Sequence, residues 1–255
     1  MHPSLSPAVV IDRLTAAGCV AAEDEARDLL ALAEDDEIAE SWIVRREDGE
    51  PLAWITGVQQ FCGQLLHVDP GVYVPRLQSE ELARRGAELL APEGTVADLC
   101  TGAGPIAAYL RTAVPTAHVL GVEIDPMATE CARRNGVAVV LGDLTEPLDS
   151  SVFDLVTAVA PYVPAGEFRT LPRDVQRYEP RCSLDGGADG LGIVRRIVGG
   201  SARVLRPGGW LLLELGGEQD ELLAPSLADA GFGDISTWRD EDSDLRGLAA
   251  CLRRT

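Results

Sequence analysis

The spacing of apolar residues changes twice along the chain. In the N-terminal part, apolar residues recur every three to four positions, which is the period of a helix that buries one face. They predict helices over residues 7–17, 21–33 and 38–45. The next stretch, 49–75, is rich in β-forming residues and punctuated by glycine and proline, so it predicts a β-hairpin connector. A further helix is predicted over 78–90.

From residue 95 onward, short apolar runs alternate with helical patterns. Such alternation is typical of an α/β fold, a mostly parallel sheet with helices on both faces. The last two runs are joined by an acidic loop, which indicates an antiparallel hairpin at one edge of the sheet. The predicted strands are 95–99, 118–123, 137–141, 153–159, 210–215, 232–238 and 247–253, and the predicted helices are 104–112, 126–135, 189–205 and 218–230.

These periods divide the 255 residues into three parts. Residues 1–48 form a small helical cap domain, which is too short to bury much core alone. Residues 49–75 are the hairpin linker, and residues 76–255 are the α/β domain. We expect the cap to pack over the mouth of a crevice in the α/β domain and to supply part of a substrate pocket.

Charge and composition narrow the classes of function. The net charge is −19, and all 22 basic residues are arginine. A nucleic-acid partner is disfavoured, because the neutralisation of phosphates supplies most non-specific affinity for nucleic acids. The six cysteines form no C-x-x-C pair and the three histidines lie apart, so no metal site is predicted. No signal peptide or apolar run of membrane length is recognised, which predicts a cytoplasmic protein without membrane contact.

The clearest candidate for chemistry is the stretch from Asp98 to Gly104, Asp-Leu-Cys-Thr-Gly-Ala-Gly, which predicts a strand, a tight turn and a helix. Gly102 and Gly104 permit positive φ and let a ligand approach the main chain. Glu123 ends the next strand, where an acid in nucleotide-binding folds takes the ribose hydroxyls. Position 107 is alanine rather than a third glycine, which favours a nucleoside over a dinucleotide. A plain turn without a ligand would also explain the glycines alone.

Two further strand ends carry polar or aromatic residues. Asp143 follows the third predicted strand, and Pro161-Tyr162 follows the fourth. Taken singly, Asp143 is also explained as a helix cap and Tyr162 as an edge residue of the core. Ligands of open α/β sheets bind beyond the carboxyl ends of the strands. Four informative strand ends in succession therefore favour one ligand crevice.

A series of short motifs carries a resemblance to a known family. The motifs are Gly49-Glu50-Pro51-Leu52, Phe61-Cys62-Gly63, Val68-Asp69-Pro70-Gly71-Val72, Val74-Pro75-Arg76, the Asp98–Gly104 stretch, Asp125-Pro126, Gly142-Asp143-Leu144, Glu179-Pro180-Arg181, Leu184-Asp185-Gly186-Gly187-Ala188-Asp189-Gly190-Leu191, Arg206-Pro207-Gly208-Gly209 and Glu214. The chain resembles the HemK-type glutamine N5-methyltransferases, and within them an actinobacterial branch of unsettled substrate. The resemblance implies a helical N-terminal domain, a β-hairpin linker and a seven-stranded domain of the S-adenosylmethionine (SAM) methyltransferase type.

The resemblance also implies where SAM binds and where the reaction takes place. Glu123 would hold the ribose, Asp143 and Leu144 would line the adenine site, and the Asp98–Gly104 turn would face the methionine part. The implied cofactor-binding residues are Asp98, Thr101, Gly102, Gly104, Glu123, Ile124, Asp143 and Leu144. The implied catalytic residues are Ala160, Pro161 and Tyr162, and the implied substrate-pocket residues are Arg76, Glu80 and Val159.

Two departures from the family pattern affect the substrate half. The family's reactive motif is Asn-Pro-Pro-Tyr or Asn-Ala-Pro-Tyr, and here it reads Val-Ala-Pro-Tyr from Val159 onward. In the family the asparagine and the following carbonyl accept hydrogen bonds from the substrate amide, whereas a valine side chain neither donates nor accepts. After Arg76, Leu77-Gln78-Ser79 stands where the family often has Pro-Glu-Thr, which changes the pocket rim.

Three functional hypotheses follow. The first is a SAM-dependent methyltransferase that acts on a small molecule of the natural-product type, as in antibiotic biosynthesis, rather than on a release-factor glutamine. The second is a methyltransferase-like cyclase that closes a strained nitrogen ring, such as an aziridine or azabicycle, by intramolecular displacement. The third is a non-catalytic subunit that binds a protein partner. SAM is the expected cofactor of the first; in the other two it is absent or not consumed.

Overall fold

The computed structural model describes residues 5–253, and its N-terminal part contains three packed helices. They are α1 (Pro7–Ala16), α2 (Ala22–Leu32) and α3 (Asp36–Glu47). The Asp35 side chain accepts hydrogen bonds from the amides of Glu37 and Ile38 at 3.0 and 2.8 Å. Because Asp35 satisfies two free backbone amides of the first helical turn, α3 begins two residues earlier than the sequence predicted. The three helices bury one shared apolar cluster, formed by Val10, Leu14, Ala22, Ala26, Leu29, Ile43 and Ile55.

The linker contains the expected hairpin and one element that the sequence did not predict. The hairpin pairs β1 (Val58–Phe61) with β2 (Gln64–His67), and the short helix α4 (Leu52–Thr56) precedes it. Ile55 on α4 packs into the cluster of the N-terminal helices. Trp54 packs on the other side of α4, where its indole nitrogen donates to the carbonyl of Val72 at 2.9 Å. Helix α4 therefore ties the N-terminal helices to the rest of the chain.

The α/β fold class is confirmed. The remaining elements are α5 (Glu80–Leu89), β3 (Thr95–Leu99), α6 (Pro105–Ala113), β4 (His118–Glu123), α7 (Pro126–Arg134), β5 (Ala138–Leu141), β6 (Phe153–Ala158), α8 (Arg173–Tyr178), α9 (Gly192–Val204), β7 (Leu205–Glu214), α10 (Gln219–Asp229), β8 (Phe232–Arg239) and β9 (Leu245–Leu252). The seven-stranded sheet has the order β5-β4-β3-β6-β7-β9-β8. Strands β3 to β7 are mutually parallel, and β9 runs antiparallel to both of its neighbours.

Further differences from the sequence prediction include two boundaries and one short helix. Strand β7 starts at Leu205 rather than at 210, because Leu205 already pairs with Phe153 across a register shift. Helix α9 starts at Gly192 rather than at 189, because Gly190 adopts φ +76° and turns the chain beside Tyr162. The short helix α8 was not predicted, since six residues show too little periodicity to separate a helix from a loop.

The order of the strands places a crevice at one edge of the sheet. Strand β3 lies in the middle, and the chain continues to β4 on one side and to β6 on the other. The turns that follow these parallel strands all lie at the same edge of the sheet, the edge formed by the carboxyl ends of the strands. Open α/β sheets bind ligands at this edge. No helix in residues 5–253 is long and apolar enough to cross a bilayer.

Candidate active site

Three adjoining cavities open at the carboxyl ends of β3, β4 and β6. The crevice cavity lies between Gly102, Glu123 and Leu144. The turn cavity lies between Arg76, Asp98 and Ile106. The outer cavity lies between Arg76, Tyr162 and Val175.

The carboxylate of Glu123 is held by three backbone amides. Its Oε1 accepts from the amides of Ile124 at 2.9 Å and Asp125 at 3.0 Å, and its Oε2 accepts from the amide of Gly102 at 2.8 Å. The side chain is buried and lines the crevice cavity. These bonds join the turn after β3 to the turn after β4 and fix the carboxylate before any ligand arrives.

Asp98 is buried next to the turn after β3 and accepts a hydrogen bond from it. It is only 2% exposed, and its two oxygens accept hydrogen bonds from the hydroxyls of Thr101 and Thr157. Burial raises the pKa of Asp98 to about 6, although the hydrogen bonds that it accepts act in the opposite direction. Asp98 and Thr101 line the turn cavity, so their contact with a ligand is limited to that small space.

The two glycines of the turn serve different needs. Both have positive φ, +57° at Gly102 and +82° at Gly104. A Cβ at Gly102 would meet nothing within 4 Å, so the open space beside it can admit a ligand. A Cβ at Gly104 would lie 2.9 Å from Val137 and 3.2 Å from Ala132. The expectation of ligand approach therefore fits Gly102, whereas at Gly104 the close neighbours belong to the protein, and this residue lines neither the crevice nor the turn cavity.

The far end of the crevice cavity is apolar with a charged rim. Ile124 is 67% exposed although it is aliphatic, and it lines the cavity together with Leu144. Asp143 forms an ion pair with Arg196 at 2.7 Å. The structure therefore places Asp143 at the cavity rim with a cationic partner.

A nucleoside such as that of SAM fits these residues. A fixed carboxylate can accept the two ribose hydroxyls, and aliphatic side chains can cover the faces of a purine. The space left by the missing Cβ of Gly102 gives a chain-like substituent access to the turn cavity. Ile124 follows directly after β4, and Asp143 and Leu144 lie in the turn after β5. The strand ends therefore bring most of the expected cofactor-binding residues together.

Val159 lies where all three cavities meet. It follows the last residue of β6 and lines the crevice, turn and outer cavities. Pro161 lines the crevice cavity, and Ala160 and Tyr162 line the outer cavity. The expected catalytic segment thus runs from the junction of the cavities outward, with an aliphatic side chain at the junction itself.

Tyr162 belongs to a polar network beneath the outer cavity. Its hydroxyl donates to Glu214 Oε1 at 2.9 Å and accepts from Gln78 Nε2 at 2.9 Å. Gln78 also donates to Glu214, whose Oε2 accepts from the hydroxyl of the buried Ser79. Burial, reinforced by the charge of Glu214, raises the pKa of Tyr162 far above its usual value. Tyr162 is therefore a neutral, fixed wall of this cavity.

Arg76 and Glu80 are close in sequence but have different surroundings. Arg76 lines the turn and outer cavities, stacks on the ring of Tyr73 and forms an ion pair with Glu179, whose side chain is 1% exposed. Glu80 lines none of the three cavities. Its carboxylate accepts from the amide of Cys62 at 2.6 Å and pairs with Arg84, so it secures the β1–β2 turn. The expectation that Glu80 lines the substrate pocket is corrected accordingly.

The N-terminal helices support the outer cavity indirectly. Every residue that lines the three cavities lies at position 71 or later, so the expected contribution of the cap to the pocket surface is not found within the described residues. Instead, Asp48 pairs with Arg177 at 2.9 Å, and Arg46 lies 3.8 Å from Asp174. Both partners are on α8, whose Asp174 and Val175 line the outer cavity.

Several cavity residues escaped the sequence analysis. Tyr73 lines all three cavities, and Asp174 and Arg246 line the outer one. Tyr73 stands between two apolar motif residues and resembles a core position by pattern alone. Asp174 is on the unpredicted α8. Arg246 lies on the antiparallel strand β9, outside the parallel strand ends where ligand residues were sought.

The fold and crevice define the class of protein as a SAM-dependent methyltransferase. Residues 96–178 match the family model described as a methyltransferase domain. The crystal structure of ribosomal protein L11 methylase from Lactobacillus delbrueckii subsp. bulgaricus has this fold, with a TM-score of 0.54 at 20% identity over 75% of this chain and 87% of that chain. A complex from E. cuniculi that methylates a translation termination factor has a TM-score of 0.52 at 22% identity over 70% and 97%.

Two curated relatives narrow the class. Release factor glutamine methyltransferase of Geobacter sulfurreducens is 40% identical over 204 residues, 78% of this chain and 72% of that protein. The 4-amino-L-phenylalanine/4-methylamino-L-phenylalanine methyltransferase of Streptomyces pristinaespiralis is 39% identical over 191 residues, 70% of this chain and 65% of that protein. The chain belongs to the release factor glutamine methyltransferase (HemK) family. The family resemblance, the transferase class and SAM as cofactor are thereby confirmed.

Proposed function

We propose that this protein methylates a nitrogen of a small molecule, an amine, rather than the side-chain amide of a release-factor glutamine. The observation that carries the proposal is Val159 at the junction of the three cavities. The lone pair of an amide nitrogen is delocalised, so the nitrogen attacks only when acceptors hold its hydrogens and turn the lone pair toward the methyl group. Valine offers no acceptor, and the loss of one such polar group costs on the order of 10²–10³ in rate.

An amine needs less help at this position. Its lone pair is localised, and positioning alone supplies much of the rate enhancement. A neutral amine also fits beside a hydrocarbon side chain more easily than an amide, because an amide brings a carbonyl as well as N–H groups that need partners when they are buried. The apolar junction therefore selects against the family's usual acceptor and tolerates a smaller, more nucleophilic one.

The charges of the outer cavity suit a small polar substrate. Arg76 and Arg246 provide cationic groups, and Asp174 provides an anionic one. A molecule that carries both a carboxylate and an amino group would meet complementary charges there. The relative from Streptomyces pristinaespiralis is named for an amino acid with an aromatic amine, which is this kind of molecule.

The cofactor roles are proposed from the geometry of the crevice cavity. SAM supplies an electrophilic methyl group on a sulfonium. Glu123 accepts the hydrogen bonds of the ribose hydroxyls, Ile124 and Leu144 cover the purine, and Gly102 leaves room for the chain that leads to the sulfur. Val159 and Pro161 then exclude water from the space where the methyl group is exposed.

A direct assay tests the proposal. Purified protein and SAM are incubated with 4-amino-L-phenylalanine and related amines or, separately, with a glutamine-containing release-factor peptide. We expect S-adenosylhomocysteine (SAH) and a mass gain of one methyl with an amine, and no mass gain on the peptide. Efficient methylation of the peptide glutamine would refute the proposal, and a protein that binds SAM but never releases SAH would instead fit a cyclase or a binding subunit. Glu123→Ala, which disrupts the crevice, serves as the inactive control.

A further inference from the structure

Tyr73 occupies the same junction as Val159. Of the residues that the structure describes, these two alone line the crevice, turn and outer cavities. Any group that passes between the cofactor and the substrate must therefore pass between a hydrocarbon side chain and a phenol. Tyr73 is the polar member of this pair, and its hydroxyl can both accept and donate a hydrogen bond.

The surroundings of Tyr73 hold the phenol in place and keep it neutral. The guanidinium carbon of Arg76 lies 4.9 Å from the centre of the ring, a cation–π distance. Arg76 is itself fixed by the buried Glu179. Burial raises the pKa of Tyr73 to about 12, so the hydroxyl stays protonated at neutral pH. Arg76, which also forms a hydrogen bond with the phenol, thus holds the ring together with Glu179, and the phenolic oxygen is uncharged.

We propose that the phenolic oxygen of Tyr73 accepts a hydrogen bond from the nitrogen that receives the methyl group, and so supplies the polar contact that Val159 lacks. This proposal rests on the proposed function, because it assumes that a nitrogen enters the junction. The lone pair of that nitrogen forms the new N–C bond while the S–C bond breaks and its electron pair passes to sulfur. The proton of the resulting N-methylammonium leaves to solvent through the outer cavity, and Tyr73 keeps its own proton.

A test that needs no substrate uses two SAM analogues. SAH has no group in place of the methyl, whereas sinefungin carries an amine-bearing carbon where the methyl-bearing sulfur would be. The ammonium of sinefungin should donate to Tyr73, so Tyr73→Phe should weaken sinefungin about 10- to 100-fold, as expected for a hydrogen bond to a charged group. SAH should bind within threefold of wild type. Calorimetric titration of both ligands gives the ratio of affinities.

The matched control variant removes a tyrosine hydroxyl at a position away from the three cavities. Tyr109 is on α6 and lines none of the three cavities, so Tyr109→Phe should leave the ratio of sinefungin to SAH affinity unchanged. An unchanged ratio in Tyr73→Phe overturns the proposal, and so does an equal weakening of both ligands, which would indicate a general effect on the crevice.

The two proposals fail separately. If the wild type methylates no amine while Tyr73→Phe still loses sinefungin selectively, the proposed function is wrong and the role of Tyr73 as an acceptor stands. If an amine is methylated, Tyr73→Phe should lower kcat more than it raises the KM for the amine, because the contact positions the nitrogen for attack. A variant with wild-type kcat would again overturn the role of Tyr73.

Discussion

Glu123→Gln should weaken SAM binding almost as much as Glu123→Ala, although glutamine has nearly the same shape. The two oxygens of Glu123 accept three backbone N–H bonds, two at Oε1 and one at Oε2. A glutamine amide keeps only one acceptor oxygen, and its NH₂ group must face the amide of Gly102 or those of Ile124 and Asp125. At least one backbone N–H group then faces the NH₂ group of the glutamine instead of an acceptor oxygen.

The size of the effect follows from this geometry. One hydrogen bond to a charged group is worth about 1.5–3 kcal/mol, and its loss lowers the affinity about 10- to 100-fold. The ribose contact proposed for the same carboxylate is weakened in addition. Calorimetric titration of SAH into wild type, Glu123→Gln and Glu123→Ala measures the ranking. Glu130→Gln is the matched control, because Glu130 is exposed on the neighbouring α7 and should leave the affinity unchanged. If Glu123→Gln bound SAH within threefold of wild type, the carboxylate would not be organising the crevice.

The remaining predictions concern the acceptor, the turn, pH and the cap. Val159→Asn should restore a trace of release-factor peptide methylation, seen by mass spectrometry, and should lower the native activity by placing an unpaired amide in an apolar site. Gly104→Ala should destabilise the fold more than Gly102→Ala, because the methyl group added at Gly104 would lie 2.9 Å from a buried side chain. Gly102→Ala should instead lose more SAH affinity. Urea unfolding measures the first effect and calorimetric titration of SAH the second. The pKa of Asp98 is raised to about 6, so between about pH 4 and pH 6 the folded state holds a proton that the unfolded state has released. Wild type should gain about 1 kcal/mol of stability over Asp98→Asn when the pH falls from 7 to 5, and an opposite trend in urea unfolding would refute the buried carboxyl. Deleting residues 1–48 should leave SAH binding but abolish turnover, because α8 loses its ion pairs with α3 and the following turn; full activity of the truncated protein would exclude a supporting role.

The sheet and the crevice were predictable because their signals are local and periodic. Buried parallel strands form short apolar runs, and each run ends at the edge where ligands bind. Glu123 could therefore be placed beside Gly102 from the order of the strands alone. The division of the chain at residues 48 and 75 stays a prediction, since α4 contributes to the apolar clusters on both sides of the linker.

The acceptor side was less predictable because its contacts join residues far apart in sequence. Glu80 was assigned to the pocket from its place in a motif, but which way it faces depends on the hairpin turn at Cys62. Arg246 reaches the outer cavity from β9 and contacts Gln78 at 3.4 Å, a contact that no local pattern encodes. Tyr73 follows a buried valine and precedes another, so only the path of the loop shows that it lines cavities.

The cofactor half and the acceptor half of the site are anchored by separate hydrogen-bond networks. The carboxylate of Glu123 accepts hydrogen bonds from the turns after β3 and β4, whereas the hydroxyl of Tyr162 is hydrogen-bonded to Glu214 and Gln78. Within residues 5–253 the hydrogen bonds of these two networks share no residue. Val159 belongs to neither network, since its side chain packs against the apolar cluster between α5 and the sheet. A hydrocarbon at position 159 therefore removes no hydrogen bond of either network and leaves the cofactor carboxylate in place. Under the proposed function, this separation would allow the methyl acceptor to differ from that of the family while the SAM site is kept.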